Sequence, residues 1–471
     1  MEFTLDEIAR ILNVPCNGDG TAVVRGVSTD SRTIEDGVLF FALRGERFNG
    51  HGFVNEALAK GACGAVVERR ENASAGKNLE GILLAVEDPL RALQDVASAY
   101  RRIFKIPVLA VTGTNGKTTT KEMASSVLSA KYKTMKSKGN LNNHIGVPLA
   151  VCLWEKDAQA AVVEMGTNHF GEIRRLCEIA QPTHGLITNV GKGHLEYFND
   201  ADGVAHAKAE LLDFLQTGGN AFLNGDDPRL WRLKDVVPHT VTYGFSERCD
   251  FTGEDAGSDE EGFPVMRVEG KKLRIRIHGR YNLYNGLAAA AVGRAFGVDW
   301  EAIREAFEIY RPMEKRMEVL RFRGIIVLND TYNANPSSVR CALDTLHDLK
   351  DVKRKIAVLG DMLELGEKSD EEHRRVGEWV VTLGLDGFFG YGKGMQLAVE
   401  IARNEGLKDA SYHESKEDLL NAIKNVMVQG DAILVKGSRG MRMEEIVEGL
   451  KGNRRRETGG RRPASPPPAT E

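Results

Sequence analysis

The chain has 471 residues, 42% hydrophobic and 28% charged, with a formal net charge of -4 at pH 7. That length exceeds what one hydrophobic core serves, so two or three well-packed domains are expected. The near-balanced charge excludes the basic excess that nucleic-acid or anionic-membrane partners require, and no apolar run reaches membrane-spanning length, so no nucleic acid and no membrane insertion are expected.

The N-terminus, Met1-Glu-Phe-Thr-Leu-Asp-Glu-Ile8, is acidic and lacks a basic leader, which reads as a cytoplasmic protein. Cys16, Cys63, Cys152, Cys177, Cys249 and Cys341 are scattered without zinc or disulfide spacing and read as reduced core thiols.

Residues 1–102 read as a small α/β domain, with a helix over Leu5 to Leu12 and strands over Leu39 to Leu43 and Ala62 to Val67. Two polar loops punctuate it. Ser28, Thr29, Asp30, Ser31 and Arg32 pack hydroxyls, a carboxylate and a guanidinium together, and the stretch Arg44 to Gly52 adds Arg44, Gly45, Asn49 and His51. Such groups suit a ligand with phosphate and hydrogen-bonding edges, although solvated turns fit the spacing equally well.

Residues 103–310 repeat strand, loop and helix. Val108 to Val111 is a buried strand leading into Thr112-Gly-Thr-Asn-Gly-Lys-Thr-Thr119. Gly113 and Gly116, with Thr114 and Asn115 between them, let backbone N–H groups close around a polyphosphate. Lys117 neutralises phosphates, and Thr118, followed by Thr119, offers an oxygen to magnesium where a helix starts. The general phosphate loop has glycine where Val111 stands. Further strands over Ala161 to Met165 and Gly185 to Asn189 imply a doubly wound, mostly parallel sheet that binds ligands at its carboxyl edge. Glu164 and His194 follow two of these strands. A carboxylate suits Mg²⁺ directly, whereas an imidazole needs an anionic neighbour to do so and is on its own more ordinarily structural.

Lys208 lies on an amphipathic helix and by default is solvated. Asn282 and Asn285 share a face at the start of an alanine-rich helix, where capping accounts for one of them. Glu254 to Glu261 reads as a hairpin tip.

Residues 311–452 form a third, Rossmann-like α/β unit with strands over Ile325 to Asp330, Ile356 to Asp361 and Ala432 to Ser438. Each ends in polar groups: Asp330 with Tyr332 and Asn333, Asp361 with Glu364, and Lys436 with Ser438 and Arg439. Three such ends predict a binding edge. Residues 453–471, rich in Arg, Gly, Pro and Ser, are expected to be a disordered tail.

The string Thr112 to Thr119 resembles the phosphate loop of the Mur-type amide ligases. The resemblance extends to about Gly452 and is to the branch that adds D-alanyl-D-alanine to UDP-N-acetylmuramoyl-tripeptide. It rests on Gly139-Asn-Leu-Asn-Asn-His-Ile-Gly-Val-Pro148, Glu164-Met-Gly-Thr-Asn-His-Phe-Gly-Glu-Ile173, Gly360-Asp-Met-Leu-Glu-Leu-Gly-Glu367 with His373, and Leu434-Val-Lys-Gly-Ser-Arg439. The Asp-Asn-Pro-Arg string of the diaminopimelate-adding relative is absent, and Tyr281 stands where relatives often have histidine.

The resemblance implies three domains: one holding the UDP end of the precursor on the two polar loops, a central ATP domain, and a third that closes over ATP and binds D-alanyl-D-alanine. It implies two magnesium sites, one on Thr118 and Glu164, the other on His194, Glu164 and a Lys208 carbamylated by CO₂. Asn285 and Arg316 match positions that contact adenine and phosphate; Asp330 and Asn333 match those that close over ribose and phosphates. The implied enzyme is a cytoplasmic monomer that forms an acyl phosphate from ATP and the tripeptide. Another Mur-type ligase, a folylpolyglutamate synthase and, outside enzymes, a nucleotide-dependent regulatory module are the alternatives.

Overall fold

The computed structural model describes residues 1, 3–45, 48–70, 81–191, 195–198 and 200–452. The chain forms two compact units, Met1–Arg311 and Pro312–Glu471.

The first unit begins with a four-stranded parallel sheet in the spatial order Gly26–Ser28, Val38–Phe41, Gly64–Glu68, Leu83–Val86. Leu39, Phe41, Val66 and Leu84 face Leu5 and Ile8 of the helix Leu5–Leu12 and Leu93 and Val96 of the helix Pro89–Arg101. Phe40, Ala65 and Val67 point the other way, onto Val54 and Ala57 of the helix Val54–Ala59. Both faces are covered, which is why this stretch is continuously apolar instead of alternating.

Asp88 starts the helix Pro89–Arg101 by accepting from Leu90 N and Arg91 N, with Pro89 preset in the first turn. The helix also packs on the next sheet's helices. Gln94 Nε2 donates to His144 O at 3.0 Å, and the buried Arg101 guanidinium donates to Ala180 O at 2.7 Å, Phe104 O at 2.8 Å and Gln181 O at 3.0 Å. The boundary expected at residue 102 therefore falls at the end of a helix shared by both sheets.

The larger sheet has nine strands, in the order Thr134–Lys136, Ala160–Glu164, Val108–Thr112, His184–Ile187, Asn220–Asn224, His239–Gly244, Phe251–Ser258, Pro264–Val268, Lys271–Arg274. It is parallel up to Phe251–Ser258, and the last two strands join antiparallel. The expected hairpin tip is narrower than its acidic stretch, since residues up to Ser258 are already in the strand. The expected strands are present with ends shifted by a residue or two.

The second unit is a six-stranded sheet: Glu318–Phe322 antiparallel at one edge, then Ile325–Asp330, Ala432–Lys436, Lys355–Gly360, Gly387–Tyr391 and Ala410–His413, all parallel. The fold is thus α/β throughout. Cys152, Cys177 and Cys249 are buried and Cys16, Cys63 and Cys341 half-buried, all as free thiols, so only half of the cysteines are core thiols. The tail expected to be disordered, residues 453–471, lies outside the described residues. Among the described residues no helix is long and apolar enough to cross a membrane.

Candidate functional site

The strand Val108–Thr112, buried throughout, delivers the chain to a loop that ends where the helix Lys117–Ser129 begins. Gly113 (φ 143°) and Gly116 (φ 79°) make the turn in left-handed backbone. A Cβ at Gly113 would stand 1.9 Å from Thr188 Oγ1, and one at Gly116 2.3 Å from Asn285 Oδ1, so neither position tolerates a side chain. The neighbouring strand's end fastens the loop. Thr114 N donates to Asn189 O at 2.9 Å, Asn115 N to Asn189 Oδ1 at 3.0 Å, and Thr188 Oγ1 to Asn115 O at 2.6 Å.

No side chain caps the helix Lys117–Ser129, so its first-turn N–H groups are available to an anion. Lys117 Nζ donates to Gly113 O at 2.7 Å and Thr114 O at 3.1 Å, folding a cation over the loop, and Thr119 is buried in the same turn.

Glu164, 1% exposed, ends the adjacent strand. Its Oε1 accepts from Thr118 Oγ1 at 3.1 Å and Asn142 Nδ2 at 2.8 Å, and its backbone N–H donates to Ser137 Oγ at 2.9 Å. Among the described residues its Oε2 is buried without a hydrogen-bond partner, 3.9 Å from Lys121 Nζ. An orphaned carboxylate oxygen beside a threonine hydroxyl and a phosphate loop has the chemistry of a magnesium ligand set. Asn142, Ser137 and Lys121 were given no role from sequence. For Asn142 the signal was available, in the string Gly139 to Pro148.

Lys208 corrects the expectation of a solvated lysine. It is 3% exposed on the helix Ala201–Leu215, on the face that carries Val204, Leu211 and Leu215. Burial, and then the charge of Lys117, hold its amine well below the usual lysine range. Among the described residues no acceptor meets it. His194 lies outside the described residues.

Neither asparagine at the alanine-rich helix caps it. The helix Asn282–Ala295 starts after Tyr281 without a side-chain cap, which corrects the expectation that capping accounts for one of them. Asn282 Nδ2 donates to His278 O at 2.8 Å, Asn285 Nδ2 to Asn282 Oδ1 at 2.8 Å, and Asn285 Oδ1 accepts from Thr120 Oγ1 at 3.1 Å. Asn285 therefore braces the phosphate loop, packed on the face of Gly116.

The two polar loops of the small sheet follow adjacent parallel strands at its carboxyl edge. Arg44 lies 3.6 Å from Glu68, whose backbone N–H donates to His51 Nε2 at 2.8 Å. Asn49 Oδ1 accepts from His51 N, Ser28 Oγ from Asp30 N, and Lys60 Nζ reaches Ser31 O at 3.0 Å. Arg32 forks onto Asp30 at 2.7 Å, holding that carboxyl down at about 2. Thr29 and Gly45 lie in the same loops, half-buried and exposed respectively.

In the second unit three strand ends converge. Lys436 Nζ, buried, lies 2.5 Å from Asp330 Oδ2 and 2.8 Å from Asn333 O. Asn333 Oδ1 accepts from Arg439 N at 3.2 Å, and Ser438 Oγ, which donates to Ala334 O, accepts from Leu363 N at 2.9 Å. Arg316 lies over the Tyr332 ring, 3.8 Å from its centre.

Family models match three stretches: the Mur ligase family catalytic domain over residues 23–101, the Mur ligase middle domain over 111–293, and the Mur ligase glutamate ligase domain over 315–439. A UDP-N-acetylmuramoyl-tripeptide–D-alanyl-D-alanine ligase of Bacillus subtilis is 38% identical over 91% of the chain and 93% of its own length. The ligase of that name in Escherichia coli is 32% identical over 96% and 99%. The crystal structure of MurF from Acinetobacter baumannii superposes with a TM-score of 0.85 at 30% identity, covering 96% of this chain and 99% of that one. MurF from Thermotoga maritima in complex with ADP gives 0.78 at 28%, over 91% and 97%.

Proposed function

The chain belongs to the Mur ligase family, and on that premise we propose that it is an ATP-dependent amide ligase that adds D-alanyl-D-alanine to UDP-N-acetylmuramoyl-tripeptide in peptidoglycan precursor synthesis. One observation carries the reading: 38% identity to a ligase of that specificity over 91% of the chain.

A carboxylate is a poor acceptor for an amine. ATP's γ-phosphoryl group is therefore transferred to the tripeptide's terminal carboxylate, releasing ADP. The dipeptide's amine then forms the C–N bond while the C–O bond to phosphate breaks, the amine proton leaves, and phosphate is released. In phosphoryl transfer a protein mainly positions groups and neutralises charge, so no nucleophilic side chain is needed. Lys117 exchanges the carbonyls of Gly113 and Thr114 for phosphate oxygens, and the uncapped first-turn N–H groups of the helix Lys117–Ser129 meet the polyphosphate.

The residues present fit magnesium. Thr118 and Glu164, with its orphaned oxygen, would hold one ion; the family resemblance implies a second, held by His194, Glu164 and a carbamylated Lys208. Magnesium supplies neutralisation of phosphate charge. As an ammonium Lys208 would repel a cation. Burial, which lowers the pKa of this amine, favours its neutral form, and that form has a lone pair for CO₂, losing a proton as the N–C bond forms and becoming a carboxylate-like ligand.

We assign residues 1–102 to the UDP precursor, through Ser28 to Arg32, Arg44, Gly45, Asn49 and His51; 103–310 to ATP, where Asn285, expected at adenine, instead braces the phosphate loop; and 311–452 to the dipeptide and to closure over the nucleotide through Arg316, Asp330 and Asn333. The enzyme is assigned as a monomer drawing on cytoplasmic pools of ATP and UDP-linked precursor. A phosphate-release assay tests the reading: release should require both the UDP-tripeptide and the dipeptide. Release indifferent to both would favour a nucleotide-dependent regulatory module.

A further inference from the structure

The acceptor dipeptide must keep its amine free to attack, so the protein has to hold it by its other end, the carboxylate. Around the carboxyl end of the strand Ile325–Asp330 stand Lys436, Arg316 and Arg439. Lys436 is spent: its ammonium is buried against Asp330 and the Asn333 carbonyl. Arg316 lies 3.8 Å from the centre of the Tyr332 ring, and among the described residues its guanidinium has no hydrogen bond or ion pair. Arg439 approaches the same ring at 5.7 Å, with 60% of its side chain exposed.

The surroundings hold this pair of guanidiniums in place. Lys315 (φ 63°) and Met317 (φ 50°), on either side of Arg316, are both left-handed without being glycine, a strain that persists only where the surroundings enforce it. They are enforced by Lys315 N donating to Glu318 Oε2 at 3.3 Å and Met317 N to Asp330 Oδ1 at 3.1 Å. Arg439 is anchored through its backbone N–H on Asn333 Oδ1. Glu444 shares one oxygen, Oε1, between Arg439 at 3.3 Å and Lys315 at 3.1 Å, while its Oε2 is buried without a hydrogen-bond partner among the described residues. A single shared contact to an exposed guanidinium is a weak, exchangeable pair, and Glu444 keeps Lys315 when it is released.

We propose that Arg439 binds the carboxylate of the acceptor dipeptide, beside the Tyr332 ring that it shares with Arg316, which takes a phosphate. The assignment rests on the ligase reading and deepens it. A planar guanidinium can meet a carboxylate with two parallel hydrogen bonds, a geometry an ammonium lacks.

The test compares D-alanyl-D-alanine with its C-terminal amide, which has the same amine and no carboxylate. Wild type should strongly prefer the acid. In Arg439→Ala, KM for the dipeptide should rise at least ~10-fold, KM for ATP and for the UDP-tripeptide should stay within about twofold, and the acid-over-amide preference should collapse. Arg439→Lys should recover part of the preference, by charge without the fork. An unchanged acid-over-amide ratio, or an equal rise in KM for ATP, would overturn the assignment. Wild type that ligates no dipeptide would overturn the ligase reading instead.

Discussion

Lys117 is a cation with provisional partners. Among the described residues it donates to main-chain carbonyls of the loop it covers, those of Gly113 and Thr114. Lys117→Ala should therefore fold normally, as judged by circular dichroism, yet lose at least ~10³ in the rate of acyl phosphate formation through lost charge compensation at the transferring phosphoryl. Near-normal ligation would remove the loop from the ATP site. Lys208 differs, being buried with no acceptor among the described residues. Lys208→Ala should be nearly inactive, and acetate or formate should partly restore it by filling the vacant carboxylate position. Removing CO₂ and bicarbonate should slow wild type and leave the rescued variant unaffected. Full activity of Lys208→Ala would disprove the carbamate.

Strand ends carry the chemistry, and strand beginnings carry a pH dependence. His184 opens the strand His184–Ile187, its ring between Phe296 and Phe222 and its Nε2 3.2 Å from Asn220 Nδ2. Burial lowers its pKa from 6.5 to about 4. The folded chain thus refuses a proton that the unfolded chain accepts. Stability from this group is intact above about pH 6.5 and is lost as pH falls toward 4, by at most ~3 kcal/mol before solvent screening of the partly buried ring. His184→Gln should flatten the unfolding free energy between those two pH values in denaturant titrations; an unchanged slope would contradict it.

Much at this scale was readable in the residues. The strands Val108–Thr112 and Ala160–Glu164 are apolar runs that end in the groups doing the chemistry, so Glu164 could be found by position. Its partner Asn142, 22 residues away, stands in the string Gly139 to Pro148 that the resemblance already marked, whereas Ser137, 27 residues away, stands in a polar loop that resembles any turn. Lys208 was misjudged by residue type, although Val204, Leu211 and Leu215 at helical spacing already put it on the buried face.

Across the whole chain, three domains are visible in the pattern of strands, but not which of them share a core. Arg101 shows why. Its three carbonyl partners come from residues 104, 180 and 181, and burial lowers its pKa to about 10 with no carboxylate to compensate. Arg101→Ala leaves those carbonyls unpaired, at a cost of roughly 2–4 kcal/mol. Calorimetry should show two transitions, one for Met1–Arg311 and one for the unit that follows, and Arg101→Ala should lower the first alone. A non-hydrolysable ATP analogue should raise the first, because it binds the folded phosphate loop and not the unfolded chain. It should raise the second as well if Arg316, Asp330 and Asn333 close over the nucleotide, since a ligand stabilises only the parts that bind it better when folded. A second transition unmoved by nucleotide would sink closure, and one merged transition lowered throughout by Arg101→Ala would sink the independence of the two units.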